Sequence, residues 1–340
     1  MSLVTLRDVA PRSRRSALTV PGSQPRMLAK VAGLPADQVV LDLEDAVTIE
    51  QKAEARDAVV ATLLDGVGPS TVGSVRVNGV ASGRTHADLV TLVAGAGAHL
   101  DSVVVPKVSD AGQLAYVDHL LSQLELEHGL PLGRIGIEVQ LEDAAGVLEI
   151  ARIVDVTPRL EVLTYGPGDL AAALGLPPFP IGGQHPDYPG DHWHHVHATL
   201  VLHARRAGIQ AIAGPYVHVH DLAGLEELAA RYRGIGFDGM WVLHPGQLEV
   251  ANRRFGVDQR ALELAVDLLE AYAHATEVEG RGAVLFGTEM IDEATRRQAL
   301  ALVARGEREG LQPREVPAHV PIAERAAWRE HHASDDGLAR

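Results

Sequence analysis

Residues 134–169 read RIGIEVQLEDAAGVLEIARIVDVTPRLEVLTYGPGD, which is one helical pattern between two short apolar runs. The runs, Ile135–Val139 and Leu160–Tyr165, are rich in branched side chains and nearly continuous, as expected for strands that are buried on both faces. Between them, Asp143–Val154 has the spacing of a helix with one apolar face. A strand, a helix and a second strand in this order favour parallel strands joined by a crossover helix.

The same alternation of strand and helix continues on both sides of this stretch. The other predicted strands are Ser16–Val20, Gln38–Leu43, Val72–Val77, Ser102–Val105, Ile209–Ala213 and Gly239–Leu243. The other predicted helices are Pro25–Leu34, Ile49–Leu64, Arg84–Ala96, Asp110–Glu127, His195–Ala207 and Leu222–Tyr232. Eight such units in roughly 250 residues predict an α/β protein with the (β/α)8 architecture of a TIM barrel.

An open, doubly wound sheet is the structural alternative. Such sheets usually carry a glycine-rich dinucleotide loop after their first strand. Here the first predicted strand runs into Pro21–Pro25, which lacks that glycine spacing. The sequence therefore favours the closed barrel.

We divide the 340 residues into three parts. Residues 1–14 are predicted to form a mobile lead-in, residues 15–255 the TIM barrel catalytic domain, and residues 256–340 a C-terminal helical extension. The extension contains helical patterns at Asp258–Ala275 and Ile291–Arg305 but is too small to form a large core of its own. We expect it to pack as a lid on a barrel, either its own or that of a neighbouring subunit.

Composition excludes several classes of site and partner. Apolar residues make up 46% of the chain and aromatic residues only 4%, and cysteine is absent. The absence of cysteine excludes disulfides, zinc–thiolate sites and thiol nucleophiles. The formal net charge of −15 disfavours nonspecific nucleic-acid binding. No apolar run reaches the roughly 20 residues of a membrane span. The arginine-rich N-terminus lacks the apolar region of a secretory signal. We therefore expect a cytoplasmic protein without a membrane partner.

Two lone carboxylates stand near the ends of neighbouring predicted strands. Glu138 is near the end of one strand, and Asp169 follows Gly166–Gly168 after the next. Adjacent strands lie about 4.8 Å apart, so these side chains could share one ion at the mouth of the barrel, where barrel enzymes carry out their chemistry. Oxygen ligands without His or Cys indicate Mg²⁺, with Mn²⁺ as the alternative ion. The competing interpretation is a pair of solvated carboxylates, or Asp169 as a helix N-cap.

Charged residues crowd the ends of the second, third and fourth predicted strands. Asp42, Glu44 and Asp45 repel one another unless a cation stands among them, and Glu44 and Asp45 could orient metal-bound waters. The alternative is that Asp45 or Thr48 caps the following helix. Arg76 lies inside its strand and could hold a substrate carboxylate, or form a salt bridge to Glu44 or Asp45. Lys107 could likewise either hold a substrate carboxylate or form a salt bridge to these acids.

Several histidines invite a metal interpretation, which we disfavour. His192, His194, His195 and His197 are close together in a polar loop that runs into a helix start, and no acidic partner fixes their spacing. A solvated loop explains them equally well. His244, which follows the eighth predicted strand, is better placed for a role at the mouth.

Seven motifs, taken in order, resemble those of the HpcH/HpaI aldolase and citrate lyase β-subunit (CitE-like) family. They are Arg15–Gly22, Asp42–Val47, Val75–Asn78, Val105–Lys107, Ile137–Glu138, Gly166–Leu170 and His244–Gln247. The resemblance is strongest to the malyl-CoA and citramalyl-CoA lyases of that family, and it extends from about Arg15 to Arg305. Each motif alone is weak, but together they are highly specific.

The resemblance implies a TIM barrel that cleaves or forms a carbon–carbon bond β to a thioester carbonyl. In cleavage, a 3-hydroxyacyl-CoA such as malyl-CoA, β-methylmalyl-CoA or citramalyl-CoA would give an acyl-CoA and glyoxylate or pyruvate. It implies Mg²⁺ held by Glu138 and Asp169, and Arg76 as the residue that grips the keto-acid half. It also implies that Asp292, in the segment Gly287–Asp292, is an acid/base delivered by a neighbouring subunit of a homotrimer or homohexamer.

The departures from the family pattern concern the thioester half of the substrate. Relatives in the malyl-CoA group carry an arginine where Gln24 stands, and Arg26 and Lys30 from the same region are the predicted CoA contacts. The other predicted substrate contacts are Pro21, Gly168, His244 and Pro245.

Four other functions remain open at this level. A malyl-CoA thioesterase would use the same residues to hydrolyse the thioester. A citrate lyase β-type subunit would act on an acyl-carrier thioester, and an aldolase would act on free 2-oxo acids without CoA. A non-catalytic subunit would keep the barrel for assembly, but the set of Arg76, Glu138, Asp169 and Asp292 argues against it.

Overall fold

Eight parallel strands close into a barrel in the computed structural model, which describes residues 2–4, 12–178, 180–183, 185, 187–278 and 280–332. The strands are β1 (Ser16–Pro21), β2 (Gln38–Asp42), β3 (Val72–Arg76), β4 (Ser102–Val105), β5 (Gly136–Leu141), β6 (Leu160–Tyr165), β7 (Gln210–Ala213) and β8 (Gly239–Val242). Each strand pairs with the next, and β1 pairs with β8 to close the sheet. The predicted (β/α)8 barrel is confirmed.

Helices connect the strands on the outside of the barrel. They are α1 (Pro25–Leu28), α2 (Lys52–Asp65), α3 (Thr85–Ala96), α4 (Ala111–Glu127), α5 (Ala144–Ile153), α6 (Pro167–Ala173), α7 (His194–Ala207), α8 (Leu222–Ile235) and α9 (Leu248–Phe255). Aspartates fix several helix starts, since Asp110, Asp143 and Asp221 each accept a hydrogen bond from the backbone N–H three residues later. The short helix α6 was not among the predicted helices.

The interior of the barrel is filled in layers, as expected for this fold. The middle layer is apolar and consists of Ala17, Val40, Val104, Val162, Ile212 and Trp241. Below it, toward the amino ends of the strands, lies a polar lower layer that consists of Arg14, Gln38, Ser74, Ser102 and Glu138. Arg14 is only 2% exposed. Arg12 and Ser13 also contact the barrel, through Glu161 and Asp37, so residues 12–14 do not belong to a mobile lead-in. Residues 5–11 lie outside the described residues.

Strand β5 extends two residues beyond its predicted end. It pairs with β6 through Gln140 opposite Thr164 and Leu141 opposite Tyr165. Because side chains alternate along a strand, Glu138 and Glu142 point to the same side, but their Cα atoms are separated by about 13 Å of strand. The residue that β5 brings to the mouth is thus Glu142.

The chain divides into two units, Met1–Phe255, which holds the barrel, and Gly256–Arg340. The second unit contains α10 (Gln259–Glu277), the antiparallel hairpin of β9 (Val284–Phe286) and β10 (Glu289–Ile291), α11 (Glu293–Arg308) and α12 (Arg325–His332). Buried ion pairs support this unit: Arg314 Nε lies 2.8 Å from Glu263 Oε1, and Arg329 Nη2 lies 3.1 Å from Asp267 Oδ1.

None of the helices in the described part of the chain combines the length and the hydropathy that a transmembrane segment needs.

Candidate active site

Charged side chains from five consecutive strands meet at the mouth of the barrel. Asp42 ends β2, Arg76 ends β3, Lys107 follows β4, Glu142 follows β5, and Asp169 lies in the first turn of α6 after β6. The carboxyl ends of parallel strands share one edge of the sheet, so the order of the strands places these residues side by side.

Glu142 and Asp169 form a carboxylate pair at this edge. Glu142 is 2% exposed, and its Oε2 has no hydrogen-bond partner among the described residues. Burial and the neighbouring carboxylate of Asp169 raise the pKa of Glu142 to about 9. Gly166 leaves room for Glu142, because a Cβ at that position would collide with Glu142 Oε2. A buried carboxylate oxygen without a donor, next to a second carboxylate, is suited to a cation.

Lys107 contacts both members of this pair and two further acids. Its backbone N–H donates to Glu142 Oε1 at 3.2 Å, and its Nζ lies 4.0 Å from Asp169 Oδ1. The same Nζ lies 2.6 Å from Glu44 Oε1 and 3.0 Å from Asp45 Oδ2. These carboxylates raise the pKa of the Lys107 ammonium above its usual value, against the effect of burial, so the group is charged.

Arg76 is held in place by acids of β2 and the loop that follows it. Its Nε and Nη2 donate to the two oxygens of Asp42 at 2.8 and 2.6 Å, and its Nη1 lies 3.3 Å from Glu44 Oε2. Its guanidinium carbon lies 5.5 Å from the ring centroid of Trp241 in the middle layer. Asp42 and Glu44 raise the pKa of Arg76 against the effect of burial. Arg76 was expected either to bind a substrate carboxylate or to form a salt bridge to Glu44 or Asp45. The structure contains the salt bridge to Glu44, together with a closer one to Asp42.

The structure does not bring Glu138 to the mouth, and the prediction of that position is wrong. Glu138 is fully buried in the lower layer, where Gln38 Nε2 and Ser102 Oγ donate to its Oε1 at 2.6 and 2.7 Å. Arg14 Nε lies 3.2 Å from the same oxygen. The prediction failed because it ended the strand at Val139, whereas β5 continues to Leu141.

Glu142 is the residue that the sequence interpretation missed. A signal was available, since Asp143 was placed at the start of the following helix and therefore put Glu142 at the junction of strand and helix. Asp169 lies at the mouth as predicted, with its side chain 49% exposed. It is not a helix N-cap, because α6 begins at Pro167 and Gly166 is the N-cap residue.

The two acids predicted to orient metal-bound waters differ in burial. Glu44 is 5% exposed, and burial raises its pKa, whereas Lys107 lowers the pKa of Asp45, which is exposed. Of the two predicted caps, Thr48 is the N-cap residue of the helical turn that begins at Ile49, and Asp45 is not a cap. The mouth holds five carboxylates and three cations. The carboxylates are those of Asp42, Glu44, Asp45, Glu142 and Asp169, and the cations are Arg76, Lys107 and Lys52. The Nζ of Lys52 donates a hydrogen bond to the backbone oxygen of Glu44. With a pKa of about 9, Glu142 is protonated near neutral pH and the excess is one negative charge. A divalent cation that displaced this proton would meet an excess of two.

The predicted substrate contacts occupy several loops around the mouth. Pro21 ends β1 opposite Asp42. Gly168 lies within α6, while Arg26 and Lys30 are exposed in and after α1. The pair of His244 and Pro245 follows β8, and His244 Nδ1 accepts a hydrogen bond from the Gly246 N–H.

The four clustered histidines do not form a metal site in the described part of the chain. His194 and His195 are exposed, but His197 is buried in α7. His197 Nε2 lies 2.6 Å from Tyr165 Oη, and Tyr165 Oη lies 2.9 Å from Tyr232 Oη. The solvated-loop interpretation is therefore wrong for His197, which anchors α7 to the outer face of β6.

Asp292, in the second unit, is the N-cap residue of α11. Its Oδ1 accepts hydrogen bonds from Ala294 N at 2.9 Å and Thr295 N at 3.1 Å. These hydrogen bonds lower the pKa of Asp292, and its side chain is exposed. The hairpin of β9 and β10 leads directly to it.

The chain is similar to proteins of one family along most of its length. The model of the HpcH/HpaI aldolase/citrate lyase family matches residues 15–245. An L-malyl-CoA/β-methylmalyl-CoA lyase of Cereibacter sphaeroides (strain ATCC 17025) is 32% identical over 87% of this chain and 95% of its own length. A (3S)-malyl-CoA thioesterase of Cereibacter sphaeroides (strain KD131) is 34% identical over 84% of this chain and 93% of its own length.

The fold has solved counterparts. The crystal structure of the protein CitE from Mycobacterium tuberculosis in complex with magnesium, acetoacetate and coenzyme A covers 87% of this chain and 98% of its own chain, with a TM-score of 0.68 and 27% identity. The closed barrel, the family match and the extent of these similarities agree. The chain belongs to the HpcH/HpaI aldolase/citrate lyase family and is an enzyme of the lyase class.

Proposed function

We propose that this enzyme is a Mg²⁺-dependent carbon–carbon lyase that cleaves a 3-hydroxyacyl-CoA to an acyl-CoA and glyoxylate or pyruvate, or forms it in the reverse condensation. The observation that carries the proposal is the pair of Glu142 and Asp169 beside Arg76 at the mouth. The similarity to a malyl-CoA/β-methylmalyl-CoA lyase, and a solved relative that holds magnesium, acetoacetate and coenzyme A, support it.

We assign the metal to Glu142 and Asp169 rather than to Glu138. The donor set consists of carboxylate oxygens, which Mg²⁺ prefers and which Mn²⁺ also accepts. The orphaned Glu142 Oε2 and the excess negative charge of the mouth fit a divalent cation. Glu44 and Asp45 remain the proposed partners of metal-bound waters. When bound, the ion would supply Lewis-acid polarisation of the 2-oxo acid and a template for its orientation.

Arg76 is the proposed partner of the keto-acid half. Its bidentate contact with Asp42 fixes the guanidinium plane, so little conformational freedom is lost when an anion binds. The positive charge would also stabilise negative charge that develops on the substrate oxygen while the carbon–carbon bond breaks.

Asp292 is the proposed acid/base. In cleavage it would give a proton to the α-carbon of the thioester enolate, and in condensation it would remove a proton from the same carbon. Because Oδ1 takes the capping hydrogen bonds, Oδ2 is the oxygen that we assign to proton transfer. An aspartate whose pKa is lowered is a weak base, so the proposal requires that Asp292 be desolvated in the complete site. We propose that a second copy of the chain, in a homotrimer or homohexamer, provides this residue.

The exposed cations Arg26 and Lys30 are the proposed contacts of the CoA diphosphate, although Gln24 stands where relatives carry arginine. The remaining proposed contacts with the substrate are Pro21, Gly168, His244 and Pro245. A thioesterase that uses the same site is the second candidate, since one such enzyme is 34% identical to this chain. The cytoplasmic location stays a prediction.

The test is incubation of the purified enzyme with MgCl₂ and malyl-, β-methylmalyl-, citramalyl- or citryl-CoA, with the products identified by mass spectrometry. A lyase gives an acyl-CoA and a 2-oxo acid, and a chelator abolishes the reaction. Free CoA and an intact hydroxy acid would identify a thioesterase instead. Turnover that is unaffected by chelation would reject the metal assignment.

A further inference from the structure

Lys107 is the only non-glycine residue with a positive φ in the part of the chain that the structure describes, with φ at 56°. The left-handed region costs an L-residue with a side chain about 1 kcal/mol or more, and such conformations persist where the surroundings hold them. Val105 and Pro106 lead from β4 directly into this residue. The sharp turn therefore has a cost that the contacts of Lys107 must offset.

The strained turn lets one residue reach four acids from three loops. It directs the backbone N–H to Glu142 Oε1, while the side chain extends to Glu44, Asp45 and Asp169. Pro106, which has no N–H, could not make the contact with Glu142, and the short side chain of Ser109 could not span the loops. Lys107 thus joins the proposed metal ligands to the two acids beside them.

The position of Nζ has opposite consequences for a cation and for an anion. Its positive charge lies 4.0 Å from Asp169 Oδ1, so it opposes the approach of a divalent cation to that carboxylate. It also occupies Glu44 and Asp45, which would otherwise add their charge to the metal site. The same positive charge favours an anionic 2-oxo acid, which must bind among five carboxylates.

We propose that Lys107 is a positioning residue that weakens the binding of the metal in exchange for tighter binding of the 2-oxo acid. Its N–H fixes Glu142 as a ligand, and its ammonium keeps Glu44 and Asp45 from joining the metal. The inference rests on the proposed function, because it concerns the same metal ligands. It assigns Lys107 a role distinct from that of Arg76, which contacts the other carboxylate oxygen of Glu44.

The test uses two variants, Lys107→Met and Lys107→Gly, in the full-length chain. Methionine keeps the aliphatic stem without the charge, and glycine adopts the positive φ freely while it keeps the N–H that donates to Glu142. Arg84→Met is the matched control, because Arg84 is a cation of the same side of the mouth whose guanidinium donates to Ser82 O rather than to the acids. Thermal unfolding of all variants checks that each is folded.

Two affinities are measured by calorimetry: that of MgCl₂ for the metal-free protein, and that of glyoxylate and of pyruvate for the Mg²⁺-saturated protein. Loss of one like charge near the site should tighten Mg²⁺ binding by about threefold to tenfold in both variants. It should weaken binding of the 2-oxo acid by a similar factor. Arg84→Met should change neither affinity by more than about twofold, because solvent screens a more distant charge.

The opposite signs separate this role from a merely structural one. If both affinities fall together, or neither changes, or Arg84→Met reproduces the shifts, the inference is wrong and the proposed lyase function stands. If the wild-type protein does not bind Mg²⁺ at all, both the metal assignment and the inference fail.

Discussion

At the scale of single residues, β5 carries two glutamates with different tasks. Glu138 satisfies buried donors in the lower layer, and Glu142 leaves an oxygen without a donor at the mouth. We expect Glu142→Gln to weaken Mg²⁺ binding about tenfold or more, because it removes a charged ligand. The matched variant Glu138→Gln should leave Mg²⁺ affinity nearly unchanged and lower the free energy of unfolding by about 1–3 kcal/mol, because Arg14 loses a partner.

Calorimetry with MgCl₂ and chemical denaturation of both variants check this prediction. A loss of Mg²⁺ affinity in Glu138→Gln with none in Glu142→Gln would restore the metal assignment based on the sequence. The helix start at Asp143 favours Glu142, but it does not decide the assignment by itself, since the alternation of a strand places both glutamates on one face. Only the length of β5 decides between them. Leu141 is the only apolar residue among residues 140–143, so the sequence does not mark where the strand ends.

At the scale of elements, the position of α7 against β6 depends on an uncharged histidine. Burial lowers the pKa of His197 to about 4, although Asp191 acts in the opposite direction. Tyr165, Tyr232 and Phe237 face its ring from β6, α8 and the segment that follows α8. Because a histidine in the unfolded chain takes up its proton near the usual pKa of about 6.5, protonation of His197 favours the unfolded state.

We therefore expect the stability of the enzyme to fall as the pH is lowered from about 6.5 toward 4, and we expect His197→Phe to flatten this part of the profile. The melting temperature of both proteins, measured across this range, checks the prediction. His194→Phe, at an exposed position of the same helix, is the control and should keep the wild-type profile. An identical slope in wild type and His197→Phe would show that other groups dominate. The sequence places His197 in the predicted helix His195–Ala207, but it could not show that Tyr165 and Tyr232, which are distant along the chain, meet this side chain.

At the scale of the whole molecule, the sequence predicted the barrel because its signal is repeated eight times, so an error of one or two residues at any strand end does not change the topology. It placed Asp42, Arg76 and Asp169 correctly at the mouth for the same reason. The proposed role of Asp292 in a second copy depends on assembly instead. Two inactive variants, Glu142→Gln and Asp292→Asn, should therefore complement each other when they are refolded together, since mixed assemblies regain intact sites.

Random mixing in equal amounts should restore roughly a quarter of the wild-type sites. Activity of the mixture, compared with each variant refolded alone, is the measurement. A mixture that stays as inactive as its components would place Asp292 in the site of its own chain, or outside the mechanism.

The shared direction of Glu138 and Glu142 has a consequence for how β5 tolerates insertions and deletions. A slip by one residue would turn both carboxylates outward against the helices, and a slip by two would bury one acid in the middle layer and push the other into solvent. The loops at the opposite end of the barrel, which connect each helix to the next strand, can change length without touching the chemistry. Strand β5 cannot change length in this way, because its register with the neighbouring strands places Glu138 in the lower layer and Glu142 at the mouth at the same time.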